Sequence, residues 1–200
     1  MALHTHFNTM LTASPTLNTD ITAIELTSNQ PTVTTQSLSG RTQVRSFGGH
    51  FWSARIVMPQ LSQEKLRRIY AFLVQQKGSL TTFTISPTNL ANVSGSQGNS
   101  EDIASAAAIG ATTVTMDDSN EFAAGDMINF SGHTKSYIVT DHDGTSLKFE
   151  PALVSAVADT ETVKSKDNFK LTVRLAGESV KYFEGADGFA TLEFDVVEAV

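Results

Sequence analysis

The chain has 200 residues, enough for one large or two small hydrophobic cores. Its 14 lysines and arginines stand against 21 carboxylates, a formal net charge of −7, which argues against a nucleic-acid-binding surface. No cysteine is present, which removes disulfides, thiolate zinc sites and cysteine nucleophiles together.

Only 18% of the residues are charged, and Ser, Thr and Gly are abundant, a composition suited to strands joined by many turns. Met1 to His6 show no basic region followed by an apolar run, and no segment reaches the ~20 apolar residues of a membrane span, so a soluble protein is expected. Residues up to about Thr19 are polar and interrupted by Pro15, which fits either a mobile arm or an edge segment that pairs with another subunit. Asp20 to Leu26 alternates as a strand. Asn29-Gln30-Pro31 turns the chain, Thr32 to Ser37 is β-prone, and Thr42 to Phe47 is expected to join the next strand through a Gly48-Gly49 hairpin.

The best-patterned stretch runs from Phe47 to Pro87 and reads as strand, helix, strand. Trp52, Ala54, Ile56 and Met58 fall on one pleated face, and the single tryptophan marks it as the core face. After Pro59, Ser62 is the expected N-cap, with Leu61 and Leu66 as a hydrophobic staple. Leu66, Ile69, Tyr70 and Leu73 form one apolar stripe, each residue contributing about 1.5–3 kcal/mol on burial, and Lys77-Gly78 ends the helix with Gly78 in the left-handed conformation. Leu80 to Ile85 is the following strand.

Val93 to Asp102 then reads as a polar linker, and Thr112–Met116, Met127–Phe130, Lys135–Thr140 and Leu147–Phe149 as four short strands separated by turns. A second polar stretch, Asp159 to Asn168, precedes Phe169–Leu175, whose alternation is that of a half-buried strand. Val180–Phe183 and Ala190–Val197 complete the pattern. The expected fold class is mainly β: a β-sandwich with one α-helix, formed by residues 1–94 and 166–200, plus an inserted small OB/SH3-like β-barrel over residues 95–165.

The chemistry-bearing residues do not converge on a site. His4 and His6 share a strand face if that segment is extended, while His50, His133 and His142 sit singly in separate turns, so no metal is expected. Asp141-His142-Asp143-Gly144 opens like a calcium loop, but Ala152 occupies the twelfth position where a glutamate is required, and a hairpin turn on Asp143-Gly144 accounts for it. Asp117-Asp118 with Glu121 reads as solvated turn charge. Ser62 and Lys65 have Ser-x-x-Lys spacing without the elements that accompany it in acyl-enzymes. Arg41, Arg45 and Arg55 form the one basic patch. Solvated strand charges explain it; sharing one sheet face, the three would instead meet acidic surface on a neighbouring subunit.

The order of two blocks carries a resemblance. His50-Phe51-Trp52-Ser53-Ala54-Arg55-Ile56 running to Met58-Pro59, a helix ending at Lys77-Gly78 and a strand ending at Pro87 form the first. The second is Gly110-Ala111-Thr112, Ala124-Gly125-Asp126-Met127-Ile128, His133 to Val139 and Phe149-Glu150-Pro151-Ala152-Leu153. Together they resemble the distal tail proteins of long-tailed, siphovirus-type bacteriophages, in the branch with an inserted OB-like domain.

That resemblance implies a virion structural protein with no catalytic, cofactor-binding or metal-binding residues. It would form a homohexameric ring where the tail tube meets the tail tip, after assembly in the host cytoplasm. Its partners would be the tail tube protein, the baseplate hub and other tip proteins, with no nucleic acid and no membrane insertion. The alternative from another class is a carbohydrate-binding module with the inserted barrel as its working domain. Regular inward alternation of Phe130, Tyr137 and Phe149 speaks against an exposed aromatic platform there.

Overall fold

A computed structural model describes residues 23–59, 61–91, 94–117, 122–185 and 189–200. Among the described residues the chain is mainly β, with three antiparallel sheets and one long helix, consistent with a β-sandwich. The His4 and His6 pair, the N-terminal segment, and Asp118 and Glu121 lie outside the described residues.

The largest sheet is built around β15, Phe189–Glu198. On one flank lie β4, Phe51–Val57, and the two-residue β5, Leu61–Ser62; on the other lie β13, Leu171–Leu175, and β14, Lys181–Glu184. β1, Ala23–Asn29, pairs with β4 at one edge, and β6, Phe83–Ile85, pairs with β13 at the other. Trp52, Ala54, Ile56 and Met58 are buried as expected, together with Leu171, Val173, Leu175, Leu192, Phe194 and Val196.

Helix α1, Gln63–Gln75, covers this face with Leu66 and Leu73 fully buried and Ile69, Tyr70 and Phe72 half-buried. Its ends differ from expectation. Ser62 is extended and makes no side-chain cap bond, because it already belongs to β5, paired with Phe189. At the other end Gly78 is left-handed as expected (φ 67°), but Lys77 before it is left-handed too (φ 55°), and Gly78–Leu80 forms a 3-10 turn. That turn takes Leu80 out of the strand and leaves it exposed, so only Phe83 and Ile85 point into the core.

After β6 and the short helix α2, Thr88–Ala91, the chain forms a second sheet and then returns to the first through β13. The second sheet has six strands: β7, Ser100–Asp102; β8, Thr113–Thr115; β9, Met127–Phe130; β10, Ser136–Asp143; β11, Ser146–Glu150; and β12, Thr162–Lys164. Their spatial order is β7-β12-β9-β10-β11-β8, and a bridge between Ile103 and Met116 joins the two outer strands. Ala104 N–H to the Thr115 carbonyl, 2.8 Å, and Asp117 N–H to the Asp102 carbonyl, 3.0 Å, complete that seam. Ile103, Ile128, Phe130, Tyr137, Val139, Leu147, Phe149 and Val163 fill the interior.

Two strands more than the four expected arise here, because both stretches read as polar linkers are paired. β7 comes from the first and β12 from the second, and they pair with each other. Backbone pairing requires no apolar side chain, and buried Gln97 anchors the approach by donating to Asp126 at 2.7 Å. The β10–β11 turn is also shifted by one residue: Asp143 pairs with Ser146, so Gly144 and Thr145 are its central residues, with Gly144 at φ 64°.

The third sheet has two strands, β2, Thr32–Gln36, and β3, Thr42–Ser46, which among the described residues pair only with each other. The expected Gly48-Gly49 hairpin is not formed. β3 does not pair with β4, and the two glycines (φ 75° and 68°) carry the chain onward from one to the other. The reversal lies at Ser37–Arg41 instead, closed by Gly40 N–H to the Ser37 carbonyl at 2.9 Å. The β1–β4 and β2–β3 pairings are therefore two separate ladders on either side of the Pro31 and Gly48-Gly49 connections, and the second stands apart from the main sheet as an arm.

Candidate interaction surfaces

Every residue from 30 to 49 is exposed. An isolated two-stranded ribbon is at best marginally stable in water, and it normally needs a third strand or a packed face. Among the described residues this arm has neither, yet it displays Val33, Leu38, Val44 and Phe47. Arg41 and Arg45 lie on it, with Arg45 opposite Val33 across the ladder. Arg55 does not join them. It sits on the outer face of the main sheet, bonded to Glu193 at 2.6 Å, so the basic patch read from the sequence is split between two places.

The outer sheet face is acidic around Arg55. Cross-strand neighbours Glu25 and Asp195 flank it in register, and Lys181 stands opposite Glu193. Beside this row runs a groove of about 950 Å3, lined among others by Phe183, Thr191, Glu193 and Asp195. Phe183 is exposed on β14.

The joint between the two main sheets is polar and closed. Lys135 and Glu198 form an ion pair with fully buried side chains. The Lys135 ammonium also donates to the His50 carbonyl at 2.8 Å, while Glu198 accepts from Trp52 N–H at 3.1 Å and Ser136 N–H at 2.7 Å. Indole Nε1–H of Trp52 reaches across to the Ser136 carbonyl at 2.9 Å. Met127 of the second sheet packs into the core of the first. Burial pulls the Lys135 pKa below its ordinary value against the opposing pull of Glu198, and it holds His50 down at about 4, with the Lys135 charge adding to that effect. Neither Lys135 nor Glu198 was singled out from the sequence. A charged residue carries no pattern that announces burial, and only the partners supplied by the fold make it tolerable.

The remaining sequence candidates fall apart in space. His50 Nε2 lies 2.9 Å from Ser28 Oγ, and His133 Nδ1 lies 3.0 Å from the Tyr137 hydroxyl. His142 stacks edge-on to Phe122 at 5.8 Å. Among the described residues no group of three or more His, Asp or Glu side chains could hold a metal ion. Asp141 pairs with Lys148 at 2.7 Å, which lowers its pKa, and Ser62 and Lys65 are both exposed at the helix start. Phe130, Tyr137 and Phe149 are buried and pack on one another with centroids 5.2–5.3 Å apart, so they offer no platform to a sugar ring. Burial also pushes the Tyr137 phenol up to about 12.

No family model matches the chain, and no curated protein matches it significantly.

What the molecule presents to its surroundings is therefore the arm, the acidic sheet face with its groove, and exposed apolar side chains such as Ile109 and Val154 on the second unit. Among the described residues no helix is long and apolar enough to cross a membrane.

Proposed function

We propose that this chain is a structural protein of a bacteriophage tail of the distal tail protein kind. In this reading it is a ring-forming adaptor at the junction of tail tube and tail tip, holding the baseplate hub and other tip proteins. The observation that carries the reading is the arrangement of the two blocks that resemble that family. Strands β4 and β6 join one sheet with β13 and β15, helix α1 covers it, and the second β unit departs and returns between β6 and β13.

A ring is a head-to-tail interface that closes, so each copy needs two different complementary surfaces, and the exposed arm supplies a candidate for one of them. In the same reading the curled six-stranded unit corresponds to the inserted OB-like domain and faces outward.

The test is the mass of the purified chain by light scattering over a wide concentration range, followed by negative-stain imaging of any large peak. Closed rings are the expected result. A strict monomer throughout would overturn the proposal and turn attention to sugar binding, which a glycan array would examine.

A further inference from the structure

We infer that the joint between the two main sheets is an acid-sensitive latch: Lys135-Ser136 of the second unit plug into a socket of His50, Trp52 and Glu198, and they withdraw when His50 takes up a proton, while both units stay folded.

This goes beyond the ring reading above and does not rest on it. Three observations carry it. First, the plug is small. The Lys135 ammonium donates to Glu198 and, at 2.8 Å, to the His50 carbonyl; Ser136 N–H donates to Glu198 at 2.7 Å, and the Trp52 indole N–H donates to the Ser136 carbonyl at 2.9 Å. Two consecutive residues thus carry these bonds for the second unit. Among the described residues, Met127 and Ile138 are the apolar side chains of that unit that join the first core, and the rest of its core is separate. Each unit has a core of its own to keep when the plug withdraws.

Second, the second unit is tethered at one place. The chain enters it through residues 94–99 and leaves it through 165–170, and these stretches are fastened to each other. Ser165 Oγ donates to the Gly98 carbonyl at 2.7 Å, Ser165 N–H to the Asn99 carbonyl at 3.1 Å, and the Lys166 ammonium to the Gln97 carbonyl. Two connections held side by side act as one hinge.

Third, the socket does not accommodate a second cation. His50 Nε2 is engaged with Ser28 Oγ at 2.9 Å, and Nδ1 is buried with no hydrogen-bond partner among the described residues. An imidazolium carries a proton on both nitrogens whichever tautomer precedes it. In the closed joint Nδ1–H would therefore be buried without an acceptor, on the residue whose carbonyl already binds the Lys135 ammonium. Withdrawal lets water accept that N–H and parts the two cations.

The charges around His50 come from several elements: Lys135 from the turn before β10, Glu198 from β15, and Arg174 of β13 and Glu150 of β11, which line with it a cavity of about 610 Å3. Strand β1 contributes the Ser28 hydroxyl, and β4 the Trp52 ring, edge-on at 4.7 Å. Burial first and Lys135 second hold His50 down at about 4 in the closed joint, and opening restores its ordinary value near 6.5. The open form alone binds the proton between those values. Docking is therefore undiminished above pH 6.5 and weakened roughly 100-fold at pH 4.

The experiment is hydrogen exchange on the full wild-type chain, at a concentration where light scattering gives one mass at every pH. The Trp52 indole N–H reads the joint, because its acceptor is a carbonyl and not a titrating group. Its protection, corrected for the intrinsic exchange rate, should fall roughly 100-fold from pH 7 to pH 4. Over that range the amides of Met58, bonded within the first unit, and of Val139 and Phe149, bonded within the second, should lose much less. His50→Gln removes the titrating ring and should hold the indole's protection nearly level; His50→Asn serves if that variant misfolds.

Indole protection that does not change with pH would overturn the proposal. So would a loss shared equally by Met58, Val139 and Phe149, because that is global unfolding. An equal fall in the His50 variant would overturn His50 as the sensor.

Discussion

Lys135 and Glu198, 63 positions apart in the chain, form an ion pair at the joint of the two main sheets with both side chains closed off from solvent. The carboxylate also receives two backbone N–H groups, from Trp52 and Ser136, so it is the more heavily used partner. Removing one member of a buried pair costs about 3–5 kcal/mol, because the survivor keeps its burial and loses its counter-charge. Glu198→Ala is expected to cost more than Lys135→Met, since it strands two amide donors as well as the ammonium. Urea unfolding of the two variants checks the order.

His50 adjoins this pair, and its pH dependence has a definite sign. In the unfolded chain it accepts a proton near pH 6.5; in the folded chain burial and the Lys135 charge delay that to about pH 4. Stability is therefore full above pH 6.5 and falls as the pH drops toward 4, by at most about 3 kcal/mol, because only the unfolded chain takes up the proton in that window. His50→Gln should flatten this part of the profile. Melting temperatures of wild type and variant between pH 4 and 7.5, compared pairwise, isolate the contribution from carboxylate titration.

The helix face gives a graded series. Leu66 and Leu73 are fully buried and Ile69 only partly. Leu66→Ala and Leu73→Ala are each expected to cost about 2–5 kcal/mol, with Ile69→Ala toward the lower end of that range, and chemical denaturation resolves the difference.

The arm predicts the opposite. Val33 and Val44 are exposed on a ribbon that adds nothing to either core, so Val33→Ser and Val44→Ser should leave the monomer's stability within about 0.5 kcal/mol. A larger loss in dilute, monomeric protein would show that the arm packs against its own copy.

Much of the fold was legible in the sequence where one side of an element is apolar. Alternation around Trp52 and from Phe169 to Leu175, and the stripe from Leu66 to Leu73, each describe a surface that must face a core, and each does. The pairing of β7 with β12 was not legible, because hydrogen bonds between polar strands leave no mark on side-chain order. The arm was misread for a related reason. Gly48-Gly49 has the composition of a tight turn, and only the competing partners, β1 for β4 and β2 for β3, show that the chain passes straight through. The charged joint was hidden by a third cause: Lys135 and Glu198 look like surface residues until Trp52, Ser136 and the His50 carbonyl gather around them.

The central position of β15 bears on how the protein is made. Its neighbours on one flank, β4 and β5, precede it in the chain by the whole of the second sheet. At about 5–20 residues per second, a ribosome takes roughly 7–25 seconds to pass from Val57 to Phe189. Throughout that interval the Trp52 face has β1 beside it but lacks the strand that completes its core, while the second unit acquires all six of its strands by Lys164, before β15 is made. The nascent chain thus carries a sticky, half-built sheet beside a finished module, and substitutions that slow the capture of β15 will lower the yield of protein from cells before they lower its melting temperature.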